Sequence, residues 1–589
     1  MSNRDANGAT PYMSLPVKRP ELTDALQAFK RRLLQPGLFS LFINILMLTG
    51  PLYMLQVYDR VVTSQSVPTL IALTVLILFL YASLGVLLWV RSGLLNEAAS
   101  SFERDLDAAT VDASIALRLR DPENFDESTV SHLRKLRNFL AGPVVASILD
   151  APFTPIFFVI LFMLHPAFGY WGLIGAAILI ALSILNQRVT AASLRSTQEK
   201  EDEAQSRARE LFRNAEAAEA LGMRTRLRGQ WAASGAISDQ ASRHAASMLS
   251  GFDSVTRAFR LFLQSAILGL GAYLAIQGSV SFGAMIAASI LLGRAIAPIE
   301  QLVASWKSVA SAYSSWNRLE RTISAAGEHT RTPMALPPIT GRVSAEGIYI
   351  VAAGSRTPIL KALNFKIDAG DAVGILGPSA AGKTTLIKAL AGILPPTTGS
   401  IRIDGAELRE FDPSVLGKQM GYLPQQIELL SGTVRQNIAR FDEDAMPEDV
   451  IKAAKSAGCH DLILRLSAGY DTEIGPSGSY LSAGQRQRIG LARALFGDPK
   501  LVLLDEPNSN LDLDGEKALQ NAIVAMRENE TTVMIVAHRP QSIMACNKLL
   551  VLDQGELKAF GPRDEILSSL AGQARGGKLR AIRPAETSN

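Results

Sequence analysis

The apolar positions of this chain fall into two textures. Up to about residue 310 they gather into long uncharged runs; beyond about residue 340 they form short runs punctuated by Gly, Pro and charged residues. A helix that crosses a bilayer needs about 20 mostly apolar residues. Residues 37–58 and 69–90 each reach that length without a charge. A third run follows Asp150 through APFTPIFFVILFML, and a fourth covers 166–186. From Leu261 to Gly293 there are 33 consecutive uncharged residues. The small, polar stretch IQGSVSFG (276–283) divides them into a fifth span and a sixth that continues past Arg294. The pattern predicts six membrane helices.

The placement of Lys and Arg near span ends sets their orientation. Lys18, Arg19, Lys30, Arg31 and Arg32 precede the first span, and only Arg60 follows it. Arg91, Arg104, Arg118, Arg120, Arg134, Lys135 and Arg137 lie between spans two and three, and ten Lys or Arg fall within 188–243. The loops after spans three and five carry none. Both termini and both long loops are therefore expected in the cytoplasm. Those loops are rich in Ala, Glu, Arg and Leu, a composition that favours helix, so the spans should continue well beyond the membrane. Their tips fall near Asp121–Glu127 and Leu221–Trp231.

Composition changes the picture little. A chain of 589 residues exceeds one hydrophobic core. A net charge of +4 gives no bulk field for nucleic acid, so none is expected as a partner. Cys459 and Cys546 form no CxxC or Cys/His cluster, which argues against a disulfide framework or structural zinc. The first residues lack the apolar core of a cleavable signal peptide.

Past PMALPPIT (333–340) the texture becomes alternating strands and helices. The apolar strand Ala372–Leu376 runs into GPSAAGKTT, that is Gly377, Pro378, Ser379, Ala380, Ala381, Gly382, Lys383, Thr384 and Thr385, and then into the helical LIKALAGIL. GxxxxGK[ST] between a strand and a helix is a phosphate-binding P-loop. Its glycines let backbone N–H groups wrap phosphates at a helix N-terminus. Lys383 is expected at the β/γ-phosphates and the Thr384 hydroxyl on Mg²⁺. A second strand, LVLLD (501–505), ends in Asp505 and Glu506. Asp505 suits the second metal-coordinating position and Glu506 the polarisation of the attacking water. The expected layout is a disordered tail over 1–25, a six-helix membrane domain over 26–325 and a linker over 326–340. An α/β P-loop ATP-binding domain follows over 341–570, then a flexible tail over 571–589.

Between the two strands lies LSAGQ (481–485) followed by RQRIGLARAL, which resembles the signature of ATP-binding cassette (ABC) proteins. GYLPQQ then implies a Q-loop glutamine at Gln425, which also belongs among the metal contacts, SNLD (509–512) a D-loop, and VMIVAHR a switch histidine at His538. Six spans ahead of one cassette resemble a half-transporter of the exporter type. The resemblance implies a homodimer in which Ser482, Ala483, Gly484 and Gln485 of one copy face the ATP held by the other. It also implies that the two loop tips couple the spans to the cassettes. Two positions depart from the family. Ala483 stands where glycine is usual, and would be strained if that residue needs φ > 0. The adenine-stacking aromatic aligns with Val351 or Ala352, leaving Tyr349, two or three residues away, as the candidate.

PLYMLQVYDRVV (51–62), LDAPFTPIF (149–157), GAMIAASILLGRAIAPIEQ (283–301) and LDEPNSNLD (504–512) resemble the ATPases of type I secretion, in the subgroup that exports proteases and haem-binding proteins. The resemblance implies ATP-driven export of an unfolded polypeptide from the bacterial inner membrane, with a periplasmic adaptor and an outer-membrane channel as partners. A lipid or drug exporter would share every cassette feature. Arg294 and Glu300 interrupt the sixth span, and a charge near mid-bilayer costs at least about 2.5–3.5 kcal/mol. Either they form an ion pair that fixes packing, or they line a polar passage with Asp150 and Arg260 nearer its cytoplasmic mouth.

Overall fold

The computed structural model describes residues 20–120, 125, 128–326, 336–351, 357–537 and 540–576. The chain divides into two compact units, an all-helical one and an α/β one.

Among the described residues of the helical unit six helices are long and apolar enough to cross a membrane: Glu21–Ser64, Val67–Leu119, Pro143–Leu164, Pro166–Arg213, Arg224–Ile276 and Phe282–Ser324. At 1.5 Å per residue the 53-residue second and fifth helices reach about 80 Å, far beyond the roughly 30 Å of a hydrocarbon core. The low-Gly loops thus extend the spans as continuous helix, as their composition predicts. Two boundaries differ from expectation. The N-terminal helix begins at Pro20, inside the expected tail, because Leu22, Ala25 and Phe29 form an apolar stripe that packs on Phe102, Leu106 and Leu319. The third span begins at Pro143 rather than after Asp150; Asp150 is tolerated there because it is paired, and a 3-10 turn over Ala151–Phe153 carries the chain past the prolines.

The charged groups of the spans pair across helices. Arg91 donates to Asp150 at 2.7 Å and to the Ser40 hydroxyl at 3.0 Å, and Asn44 donates to the same Asp150 oxygen at 3.0 Å. This network ties spans one, two and three, and it satisfies charges that burial would otherwise penalise. Asp59, in a π-helical turn over Val57–Val61, accepts from the Ser281 hydroxyl and from Gly283 N–H at 2.8 Å, capping the start of the sixth helix. A Cβ on Gly283 would lie 2.7 Å from that carboxylate, so a larger residue there would displace the Asp59 cap. Glu300 pairs with Arg260 at 3.2 Å, and not with Arg294.

The described residues of the α/β unit form ten strands: β1 (Val343–Val351), β2 (Pro358–Ile367), β3 (Ala372–Leu376), β4 (Thr398–Ile403), β5 (Ala406–Glu407), β6 (Met420–Leu423), β7 (Leu501–Asp505), β8 (Thr532–Val536), β9 (Lys548–Asp553) and β10 (Glu556–Pro562). A four-stranded sheet runs β2-β1-β4-β5, antiparallel throughout. A six-stranded sheet runs β10-β9-β3-β8-β7-β6, parallel except for the β9–β10 hairpin. Strands β7 and β8 are buried at every position, as continuous apolar runs in a covered parallel sheet require. The parallel strands deliver the P-loop, the Q-loop, Asp505 and the residues after β8 to one edge, the carboxyl ends where open α/β sheets bind ligands.

Candidate nucleotide-binding site

The P-loop leaves β3 at Gly377 and enters the helix Lys383–Leu390 at Gly382. Gly377 has φ +154°, and a Cβ there would lie 2.1 Å from the Leu552 carbonyl oxygen. Ala380 takes φ +63° and Gly382 φ +95°, so the loop turns through left-handed backbone. Pro378, Ser379 and Ala380 are exposed, Ala381 is buried, and Thr384 and Thr385 are half-buried in the first helical turn. Buried Lys383 bends back and donates to the Gly377 and Pro378 carbonyls, both at 2.9 Å. Burial lowers its pKa from the ordinary lysine value, opposed by the nearby Glu506 and Asp505 carboxylates.

Asp505 closes β7 with no exposure. Its Oδ1 accepts from the Thr384 hydroxyl at 3.3 Å, while its Oδ2 is buried without a hydrogen-bond partner among the described residues. Burial raises its pKa above the usual carboxylate value; the Thr384 bond opposes this and the Glu506 charge adds to it. An orphaned carboxylate oxygen beside a threonine hydroxyl suits a hard, oxygen-seeking cation such as Mg²⁺. Glu506 follows at φ +49°, a left-handed conformation uncommon for a non-glycine residue and the kind of strain found at functional sites. Gln425 is exposed just past β6, and His538, two residues beyond β8, lies outside the described residues.

The signature forms a helix start. Ser482 caps the helix Ala483–Leu495 by accepting from Gln485 N–H at 3.2 Å, and the Gln485 side-chain oxygen in turn accepts from Ser482 N–H at 2.8 Å. This capping box holds Ser482 and Ala483 exposed at a positive helix end. Ala483 is the first helical residue and has no positive φ, so alanine is accommodated without strain. Tyr349 sits on β1, 40% exposed, with its carbonyl accepting from Thr397 N–H at 2.7 Å. Val351 ends β1 half-buried, and Ala352 lies outside the described residues.

Sequence reasoning missed how the signature grips the D-loop. Gln487, almost fully buried, donates to the Pro507 carbonyl at 2.7 Å and accepts from Asn510 at 3.4 Å. Arg488 pairs with Asp512, which also caps the helix Leu513–Glu528 by accepting from Gly515 N–H at 2.9 Å. A Cβ on Gly484 would stand 3.1 Å from the Asn510 carbonyl, so the signature turn rests directly on the D-loop. The RQR after LSAGQ carries these contacts, and it was legible only as part of the signature.

The ABC transporter family profile matches residues 360–509, and that of the ABC transporter transmembrane region matches 36–298. The chain is 40% identical to the type I secretion system ATP-binding protein PrsD of Rhizobium meliloti (strain 1021), over 93% of this chain and 94% of the relative. This chain belongs to the ABC transporters of type I secretion. It is also 30% identical to the exotoxin translocation ATP-binding protein PaxB of Pasteurella aerogenes, over 93% of this chain and 78% of that one. Among solved structures, a bacterial Atm1-family ABC exporter with ATP bound superposes with a TM-score of 0.81, covering 95% of this chain and 99% of its own at 22% identity. That likeness shows the exporter fold, and the two family profiles put a transmembrane region and an ATP-binding domain on one chain.

Proposed function

We propose that this ABC exporter works as a homodimer in the bacterial inner membrane, both termini cytoplasmic, and drives an unfolded polypeptide outward as the motor of a type I secretion system. The observation that carries the reading is a likeness to secretion ATP-binding proteins that runs through both halves of the chain. In this reading a periplasmic adaptor and an outer-membrane channel complete the conduit.

The P-loop backbone wraps the ATP phosphates, and Lys383 swings from the Gly377 and Pro378 carbonyls onto the β/γ-phosphates. Thr384, Asp505 and Gln425 would hold Mg²⁺, which supplies charge neutralisation at the phosphates when bound. Glu506 accepts the proton of the attacking water, and His538 contacts the γ-phosphate. The Ser482–Gln485 turn of a second copy, exposed at Ser482 and Ala483, closes the site, its helix N-terminus favouring the γ-phosphate. Tyr349 is the candidate for adenine stacking. Because Gln487 and Arg488 bind the D-loop, closure on one nucleotide moves the segment that follows the other copy's Glu506.

The test is ATPase activity of the full chain in lipid nanodiscs with C-terminal cargo fragments, lipids and amphiphilic drugs compared. Saturable stimulation by one fragment, lost on scrambling, is expected. Stimulation by lipids or drugs alone would assign the chain to amphiphile export.

A further inference from the structure

Arg294 stands 12 residues into the helix Phe282–Ala304, about 18 Å along its axis and so within the apolar thickness of a bilayer. It is exposed on the protomer, and among the described residues its guanidinium makes one hydrogen-bond contact, to the Met47 sulfur at 4.0 Å. The acid that could have neutralised it, Glu300, is committed to Arg260. Among the described residues no carboxylate pairs with Arg294. A guanidinium presents five donors and keeps its charge, and a charge at this depth persists only where it meets water, a counter-ion or a ligand.

The surrounding face argues against lipid. Arg294, Ala297 and Gln301 follow one another at i, i+3 and i+7 on one stripe of the helix, polar or small at each position, and Ser305 follows just past its end. The Gln301 amide donates to the Ser305 hydroxyl at 3.1 Å, along that stripe. The second span presents the opposite chemistry: Leu76, Leu78, Phe79 and Val86 are all exposed, as a lipid-facing surface requires. An unfolded polypeptide carries unpaired amides and carboxylates, so its route through a membrane must be wet.

We propose that Arg294 is a binding site on the export passage for carboxylate groups of the polypeptide cargo, Asp or Glu side chains or the terminal carboxylate. The planar guanidinium fork matches a carboxylate with two parallel hydrogen bonds, a match that lysine makes only as a point charge. Glu300, locked to Arg260, leaves Arg294 free to take and release successive acidic groups. The identity of the occupant rests on the polypeptide-export reading; the wet, anion-attracting character of the face does not.

The test uses the full chain in nanodiscs with Ala297, one turn from Arg294 and exposed, changed to cysteine; the native Cys459 and Cys546 are buried. Rates of modification by a sulfonate-bearing and a trimethylammonium-bearing thiosulfonate are compared. Both reagents should react, and their rate ratio should fall about 10-fold toward the cation on Arg294→Gln while staying near its original value on Arg294→Lys. Basal ATPase should be unchanged, which separates this effect from misfolding. A Gly/Ser peptide bearing Glu should slow modification more than its Gln counterpart, and Arg294→Gln should erase the difference. Failure of both reagents, or a ratio indifferent to Arg294→Gln, overturns the site while leaving polypeptide export standing. Equal protection by the two peptides, or protection only by phosphatidylglycerol, overturns the carboxylate-cargo assignment.

Discussion

The Thr384 hydroxyl lies 3.3 Å from Asp505 Oδ1, joining the first turn of the P-loop helix to the end of β7. Among the described residues the other Asp505 oxygen is buried without a hydrogen-bond partner. Asp505→Asn keeps the shape and removes the charge. It should lower ATP turnover by about 100-fold or more while nucleotide binding, followed by fluorescence of an ATP analogue, persists. Turnover within a few-fold of the parent would show that Asp505 is structural.

Glu506, held at φ +49°, is assigned the proton from the attacking water. Glu506→Gln should retain ATP and dimerise, yet hydrolyse about 10²–10⁴-fold more slowly. The check is single-turnover hydrolysis beside ATP-dependent dimerisation. Brisk hydrolysis by this variant removes Glu506 from its role.

Gln487 joins the signature helix to the D-loop through the Pro507 carbonyl. Gln487→Ala leaves that buried carbonyl unsatisfied, a cost of about 1–3 kcal/mol. Beyond a lower melting temperature, a D-loop role predicts a fall in kcat with KM for ATP little changed, and loss of cooperativity in ATP. A melting shift with normal kinetics would confine Gln487 to packing.

Ala483 occupies an ordinary helical start. Ala483→Gly should therefore bring no gain in activity, and thermal stability should change by at most about 1 kcal/mol. A marked rise in turnover would mean that the bound state demands a backbone that alanine resists.

Burial pushes the Cys459 and Cys546 thiols up to about 12. A raised pKa keeps the thiol protonated, so the thiolate fraction at pH 8 is about 10⁻⁴, and it grows only tenfold per pH unit. Mass spectrometry after maleimide treatment should find neither cysteine modified in the folded chain at pH 8 or pH 9, and both modified in denaturant. Labelling of the folded chain would contradict the buried core around them.

Much of this chain was legible because its chemistry is local. Gly377 and Gly382 announce a left-handed loop wherever they fall between a strand and a helix, and Ser482 with Gln485 three residues on announces a helix start. The six apolar runs follow from bilayer thickness alone. What stayed hidden depends on partners distant in sequence. The Asp150 that was placed ahead of the third span is stabilised by Arg91, 59 residues away, so the helix could start earlier. Glu300, six residues from Arg294, turned instead to Arg260. Asp59 caps a helix 222 residues downstream. No periodicity reports such pairings.

The central claim, ATP-driven movement of a polypeptide, is tested most directly in proteoliposomes with the cassettes facing outward. A cargo protein kept unfolded is added with ATP, and protease-protected cargo inside the vesicles is measured. Protected cargo should accumulate with ATP in the parent chain and not in Glu506→Gln. ATP hydrolysis without protected cargo, accompanied by movement of a labelled lipid across the bilayer, would contradict the account.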